Sequence, residues 1–455
     1  MIDYMEHVLR AFEQCTNWNR DNSYENITAT SENLLHFRIP SALKFQVSNR
    51  STSHTFTTFE LSNSKIINGS LAYLYTNCQD IDSFIKGSPG VSLHTCTETF
   101  RRIKPYYHYH LQPSPNGDFN KSSLYYGRMY YPNSNLEAMI VKRVSPYTQF
   151  VLKCISSLSS PSILTLYWQR DSGRNCQEWI MSSNETLIGY RVLHNFIGSQ
   201  AKLDGSLYNN SSLSLGGELW FSVLNTSPAC STTLRYCTHS ANTGKPLTLT
   251  LSWNPLFGHV SSTYSVKTSS GTTFCSKYDF NLYSIESNLS FGCEFWTRGK
   301  DYQREKSEEN EYDVPILNSS GSLKDLSFDS YSKAPEIAMY YHLSPPPDTD
   351  SLPLGDTNIK IPVPPKDVTE RKPILERFES SLDTNNFTSV WKLSTSLRDK
   401  SLRVLWEGKY KGFLVSAGTE FAGSPTALPS NLVQLSNPKT VFQPTKIGLQ
   451  LQYSI

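Results

Sequence analysis

Residues that could do chemistry are few in this sequence and lie far apart. The 455 residues include ten histidines and nine cysteines, and they contain no Cys-x-x-Cys pair. His108 and His110 share one parity in a tyrosine-rich stretch, but two histidines make an incomplete metal site. A nucleophile elbow, a glycine-rich phosphate loop and a His-Glu-x-x-His motif are also missing. We therefore expect no enzyme activity, no metal or other cofactor, and no disulfide framework.

The composition narrows the class of protein further. Apolar residues make up 38% and aromatic residues 12% of the chain, which fits elements with one apolar face rich in rings. A net charge of +2 gives no field that would attract nucleic acid. The N-terminus lacks the regions of a signal peptide, and its Asp3, Glu6 and Glu13 are unusual in a mitochondrial presequence. No run of about 18 apolar residues occurs, so only a β-barrel could take this chain across a bilayer.

Apolar spacing predicts one short helix followed by many strands. Ile2, Met5 and Val8 recur at every third position, which is typical of an amphipathic helix. From about residue 34 onward the period is two, as where Leu249 and Leu251 alternate with threonines and serines. Such alternation is typical of strands with one apolar and one polar face.

These patterns divide the chain into four predicted parts: an amphipathic helix over 1–20, strands over 30–298, a disordered loop over 299–385, and strands over 386–455. The loop is predicted from the acidic run at 305–311 and the prolines at 345–347. The two strand blocks hold about 340 residues, enough for on the order of twenty membrane strands. We therefore predict an all-β fold, a closed transmembrane barrel with a polar lumen.

Acidic residues near the strands form no acid/base pair. Glu218 and Glu294 fall on the polar parity and are expected to line the lumen, whereas Glu286 is expected in a turn. Two other classes fit period two, a soluble β-sandwich and a secreted glycoprotein. Asn-x-Ser/Thr triplets would suit the latter, and several occur, among them those at Asn26, Asn68, Asn184, Asn210, Asn288 and Asn386. Strand number and the missing signal peptide favour the barrel.

The C-terminal residues match a polar-x-Gly-x-x-apolar-x-apolar pattern. It is carried by Lys446, Gly448, Leu451 and Tyr453, and it resembles the β-signal that the mitochondrial sorting and assembly machinery reads. Six longer segments resemble the fungal mitochondrial distribution and morphology protein 10 family: 22–42, 122–132, 189–196, 245–259, 277–296 and 387–409. The segments around 104–120, 299–385 and 422–442 depart from the family.

This resemblance implies a fold and a function. The fold is a porin-like barrel of about nineteen strands with the N-terminal helix in the lumen. The function is that of a mitochondrial outer-membrane protein with two memberships. It anchors the ER–mitochondria encounter structure, which supports phospholipid exchange, and it belongs to the sorting and assembly machinery, where it promotes late assembly of the outer-membrane translocase. A metabolite diffusion pore is the alternative, because the same barrel could conduct if its lumen is open.

The resemblance also implies two contact sites, each a pair of aromatic residues on the apolar parity of a strand. Tyr73 and Tyr75 are expected to face the ER tether, and Tyr278 and Phe280 the sorting machinery. The simpler interpretation is that these rings belong to the aromatic girdle at the membrane interface.

Overall fold

The computed structural model describes residues 1–64, 66–78, 81–101, 103, 121–157, 161–196, 211–239, 245–269, 271–298, 387–425 and 440–455. The predicted loop over 299–385 and the pair His108 and His110 lie outside these described residues.

The described residues form nineteen strands. Their bounds are β1 Ala42–Thr52, β2 Thr55–Ser64, β3 Ile66–Thr76, β4 Ser123–Tyr131, β5 Leu136–Ser145, β6 Thr148–Ser156, β7 Ile163–Asp171, β8 Asn175–Ser182, β9 Leu187–Phe196, β10 Ser212–Ser222, β11 Ser227–His239, β12 Pro246–Asn254, β13 His259–Ser269, β14 Thr272–Asn281, β15 Glu286–Arg298, β16 Phe387–Ser396, β17 Ser401–Tyr410, β18 Phe413–Pro425 and β19 Thr440–Ser454.

Successive strands pair antiparallel, and the sheet closes on itself between β1 and β19. That closing pair is parallel and runs from Ala42 opposite Gly448 to Ser48 opposite Ser454. An odd number of strands requires this, because the first and last strands of an up-and-down meander then run in the same direction. Closure leaves no strand edge unpaired. The predicted barrel is therefore confirmed.

Tight turns join many neighbouring strands. Between β17 and β18, Lys411 and Gly412 have φ values of 48° and 84°, and they connect the paired residues Tyr410 and Phe413. Two successive positive φ angles are typical of the type I′ turn, whose twist matches that of the strands it joins.

Alternation along the strands separates an apolar outer face from a polar inner face. On β12, Leu249 and Leu251 are exposed while Thr248 and Thr250 are buried. Glu294 is 1% exposed and lies on the inner face, as its parity predicts. Glu286 is the first residue of β15 rather than part of a turn, and it forms an exposed ion pair with Arg398 at 2.6 Å.

Helices occupy the lumen. Within the described residues they are α1 (Tyr4–Cys15), α2 (Ala29–Leu35) and α3 (Leu93–Cys96). Asp3, just before α1, accepts hydrogen bonds from Gln46 on β1 and Arg128 on β4. The Leu35 carbonyl, at the end of α2, accepts one from Ser394 on β16. Contacts with strands spread around the wall place the N-terminal segment inside the barrel, as the family resemblance implies.

Residues 77, 78 and 81–101 also lie in the lumen. They contain the short 3₁₀ helix Ile81–Ser83 and α3. A disulfide joins Cys15, at the end of α1, to Cys78. The first strand begins at Ala42, later than the predicted residue 30, because α2 occupies the interval and packs against the inner face. None of the described helices has the length and apolar character needed to span a bilayer.

Candidate docking surfaces on the barrel wall

The Tyr73 and Tyr75 side chains project from the outer face of β3. They are 50% and 41% exposed. The direct neighbours of Tyr73 across the strands are Thr57 and Gly127, and a Cβ added at Gly127 would meet no atom within 4 Å. Small neighbours therefore leave the Tyr73 ring uncovered on both sides. Tyr75 is flanked by Tyr125, with 6.3 Å between the ring centroids.

Tyr278 and Phe280 lie on the outer face of β14. Tyr278 is 47% exposed and is flanked by Ser262 and Leu289. Phe280 is half-buried, since Val260 lies beside it on β13. Between the two rings Asp279 turns inward, where its carboxylate lies 3.2 Å from the ammonium of Lys277. The structure thus places both aromatic pairs on the outer wall, although their roles stay a prediction.

The two aromatic pairs are far apart. Strands β3 and β14 are separated by eight steps along the shorter way round the closed sheet. They therefore lie on nearly opposite sides of the barrel. Two protein partners could contact these surfaces at the same time without meeting each other.

The residues of the predicted β-signal lie on β19. Leu451 and Tyr453 face outward, and the Tyr453 ring packs against Phe413 with 5.0 Å between centroids. Lys446 pairs with Glu420 at 3.3 Å. Recognition of this segment by the sorting and assembly machinery stays a prediction.

Gly448 has a structural reason to be glycine. It is paired with Ala42 on β1 and Gly418 on β18. The chain passes over this point as it leaves the lumen to begin β1, and a Cβ at Gly448 would overlap the carbonyl oxygen of Pro40. The motif glycine is therefore also where the luminal segment contacts the closing seam.

Two other inward glycines receive the luminal segment in the same way. A Cβ at Gly216 would meet the Tyr24 ring at 2.5 Å, and one at Gly292 would meet the Leu34 carbonyl oxygen at 2.6 Å. The Tyr24 hydroxyl is also 2.7 Å from that of Ser231. Glycine thus provides room on the inner wall where α2 and the segment before it approach the strands.

A belt of polar side chains crosses six neighbouring strands on the inner wall. Each member is hydrogen-bonded to its direct neighbour on the next strand. The members are Gln149, Gln169, Glu178, Arg191, Glu218 and Ser231, at 2.6 to 3.3 Å. These hydrogen bonds pair inward polar groups with one another along the inner wall.

These inner groups form no evident catalytic or metal site. Arg191 is shared between the carboxylates of Glu178 and Glu218, both at 3.3 Å, and that of Glu25 at 3.5 Å, so these carboxylates are held in ion pairs. In the part of the chain that the structure describes, no three His, Cys, Asp or Glu side chains cluster as a metal site would require.

Sequence reasoning missed the second luminal segment and the disulfide. Cys15 and Cys78 lie in different elements, and nothing in their spacing indicates pairing. A signal was available in the loss of period two after Thr76, where β3 ends.

The fold and surfaces define a class: a closed β-barrel with an apolar outer wall, whose lumen is filled by its own N-terminal segment. Comparison with known proteins specifies the family. The family model described as mitochondrial distribution and morphology protein 10 matches residues 1–455. Relatives of that name are 64% identical in Lachancea thermotolerans, 52% in Zygosaccharomyces rouxii and 47% in Saccharomyces cerevisiae, each over the full length of both chains. The chain belongs to the mitochondrial distribution and morphology protein 10 family.

Proposed function

We propose that this protein is a non-enzymatic barrel of the mitochondrial outer membrane at ER contact sites, with membership in two complexes. In the first it anchors the ER–mitochondria encounter structure and so supports phospholipid exchange, mitochondrial morphology and inheritance. In the second it works within the sorting and assembly machinery, in the insertion of β-barrel proteins and late assembly of the outer-membrane translocase. Family membership supports the role in mitochondrial distribution and morphology.

The observation that carries the proposal is the placement of two aromatic pairs on distant strands. Tyr73 and Tyr75 on β3 and Tyr278 on β14 are all more than 40% exposed. Aromatic residues are enriched as anchors in protein interfaces. A girdle at the membrane interface would also place rings here, so only a partner-specific effect distinguishes docking surfaces from lipid contacts. Tyr73 and Tyr75 would face the ER-membrane and cytosolic subunits of the tether.

Affinity purification of three paired variants from mitochondria tests this function. We expect Tyr73→Ala with Tyr75→Ala to lose the tether subunits and keep the sorting machinery. Tyr278→Ala with Phe280→Ala should give the opposite result. The matched control is Leu219→Ala with Phe221→Ala, an outward pair on β10 with 60% and 44% exposure, which should retain both sets of partners.

Other outcomes would reject separate docking surfaces. Loss of both partners from one aromatic variant would point to a general defect of the barrel. Retention of both by all three variants would assign the rings to the lipid boundary. Carbonate extraction in the same experiment tests membrane integration, because a secreted glycoprotein would not stay in the membrane pellet.

A metabolite diffusion pore is the second candidate, favoured by a cavity of about 1100 Å³ inside the barrel. The helices in the lumen narrow any path through it. Conductance of the purified protein in a planar bilayer distinguishes the two, since a large and stable open state would favour the pore.

A further inference from the structure

The luminal cavity lies between α1, the 81–101 segment and the strand wall. The wall contributes Pro246, Lys267 and Lys409, which lie at the first residue of β12 and near the last residues of β13 and β17. Because strands alternate in direction, these three positions are at the same end of the barrel. The cavity is therefore a vestibule at that end.

Cationic side chains outnumber anionic ones in the described lining. The anionic residues are Glu13, Asp21 and Glu98. The cationic residues are twice as many, and they are Arg10, Arg20, Lys86, Arg101, Lys267 and Lys409. Walls of low dielectric strengthen the field of such an excess inside a cavity.

The positive charges of the arginine residues in the vestibule are balanced by nearby carboxylates. Arg20 lies 2.7 Å from Glu6 and 3.5 Å from Glu13. Arg101 lies 3.0 Å from Asp21. These guanidinium groups and carboxylates balance one another locally, so the excess of positive charge does not come from the arginine residues.

The excess of positive charge comes from the lysine residues of the vestibule. The Lys409 ammonium donates hydrogen bonds to the carbonyl oxygens of Pro89 at 2.5 Å and Val91 at 3.3 Å. Among the described residues, no carboxylate pairs with Lys409 or with the exposed Lys86. Lys267 is only 7% exposed and lies close enough to Glu294 to interact with its carboxylate electrostatically, so Lys86 and Lys409 carry the uncompensated charge.

We propose that this vestibule binds a small soluble anion with two or more phosphate groups, held by Lys86 and Lys409, with Lys267 lining the cavity behind them. The volume of about 1100 Å³ is in the upper range of small-molecule sites. Phosphate chemistry fits ammonium groups that act as point charges. The strand wall separates the cavity from the acyl chains, which favours a soluble phosphate compound over a lipid headgroup.

Binding of tripolyphosphate to the full-length barrel in neutral detergent tests the proposal. We expect saturable binding in titration calorimetry and a higher thermal transition, both weakened by salt. Lys86→Gln with Lys409→Gln should raise the dissociation constant about tenfold or more, because two charges near the ligand are lost. Lys411→Gln is the matched control, since Lys411 lies in the adjacent turn and is not among the cavity-lining residues; it should bind as the unmodified chain does.

Three results would overturn the proposal. They are no binding by the unmodified chain, equal binding by the double variant, and binding only to micelles that contain phosphatidic acid. Lys86→Gln alone is a control for misfolding. This variant should fold normally, because the exposed Lys86 side chain makes no ion pair with the described residues. It should weaken binding while leaving the thermal transition without ligand unchanged.

Discussion

The outer wall and the lumen use opposite faces of the same strands, but they depend on different parts of the chain. Leu251 on the outer face of β12 is 47% exposed and pairs in register with residues of the two adjacent strands. On the inner face of β16, Lys392 donates a hydrogen bond to the Glu98 carbonyl, and Ser394 donates one to that of Leu35. Outer contacts thus join neighbouring strands, whereas inner contacts also join segments hundreds of residues apart.

This difference teaches where the barrel should tolerate change. A substitution on the outer wall alters contacts with lipid and adjacent strands, which can adjust. A substitution in the lumen meets backbone or charged groups of a packed segment, where space and hydrogen bonds are already assigned. Equivalent substitutions on the two faces should therefore differ in cost.

The largest difference in stability is expected between alanine substitutions at inner and at outer glycines. Gly448→Ala should lower the free energy of unfolding by more than about 3 kcal/mol or prevent closure, because the new Cβ overlaps the Pro40 carbonyl. Gly127→Ala on the outer wall should have little effect, since its Cβ meets no atom within 4 Å. Urea unfolding of protein refolded into detergent measures both.

Gly292→Ala distinguishes a packing role of the inner glycines from a role of Gly448 in recognition of the β-signal. It places a Cβ 2.6 Å from the Leu34 carbonyl oxygen and lies far from the predicted β-signal. Refolding in detergent requires no assembly machinery, so both inner variants should be unstable there. If Gly448→Ala refolds normally and fails only in mitochondria, its glycine serves recognition rather than packing.

Removal of the Cys15–Cys78 disulfide should have the next largest effect. Cys15→Ser with Cys78→Ser should destabilise the barrel by about 3 kcal/mol, because the bond closes a long loop between residues 63 positions apart. Cys154→Ser on β6 is the control, since Cys154 is a free thiol. Thiol labelling after denaturation checks the bond, and labelling of all nine cysteines without reductant would contradict it.

The same contrast explains how much could be predicted from the sequence. Period two gave the strands and the outward placement of Tyr73, Tyr75 and Tyr278, because parity is a local property. The luminal path of residues 81–101 could not be predicted. It is held by contacts such as Ile2 with the Cys96 carbonyl and Ser88 with Ser454, which no local pattern indicates.

The candidate sites likewise combine features that the sequence predicts with features that only the structure provides. Parity predicts that Tyr73 faces outward, but the uncovered space beside it comes from Gly127 on another strand. Its exposure therefore depends on the strand register. Likewise, the motif identifies Gly448, whereas the reason for glycine is the approach of Pro40.

A moderate effect is expected in the polar belt of the inner wall. Arg191→Met should cost about 2 kcal/mol, because Glu178 and Glu218 lose their shared partner. The side chain of Arg191 is 17% exposed, so residual water reduces this cost below that of a fully buried pair. Arg191→Lys should recover part of the loss. Stability equal to that of the unmodified chain would mean that the belt is fully hydrated.

The smallest effect should come from the solvent-exposed ion pair at the strand ends. Arg398 and Glu286 are 2.6 Å apart but 48% and 51% exposed, so water screens their attraction. Arg398→Met should therefore change the free energy of unfolding much less than Arg191→Met does, even though its ion pair is shorter than those of Arg191. Urea unfolding of both methionine variants at the same salt concentration measures the difference. A cost for Arg398→Met as large as for Arg191→Met would show that distance, rather than solvent exposure, sets the strength of these pairs.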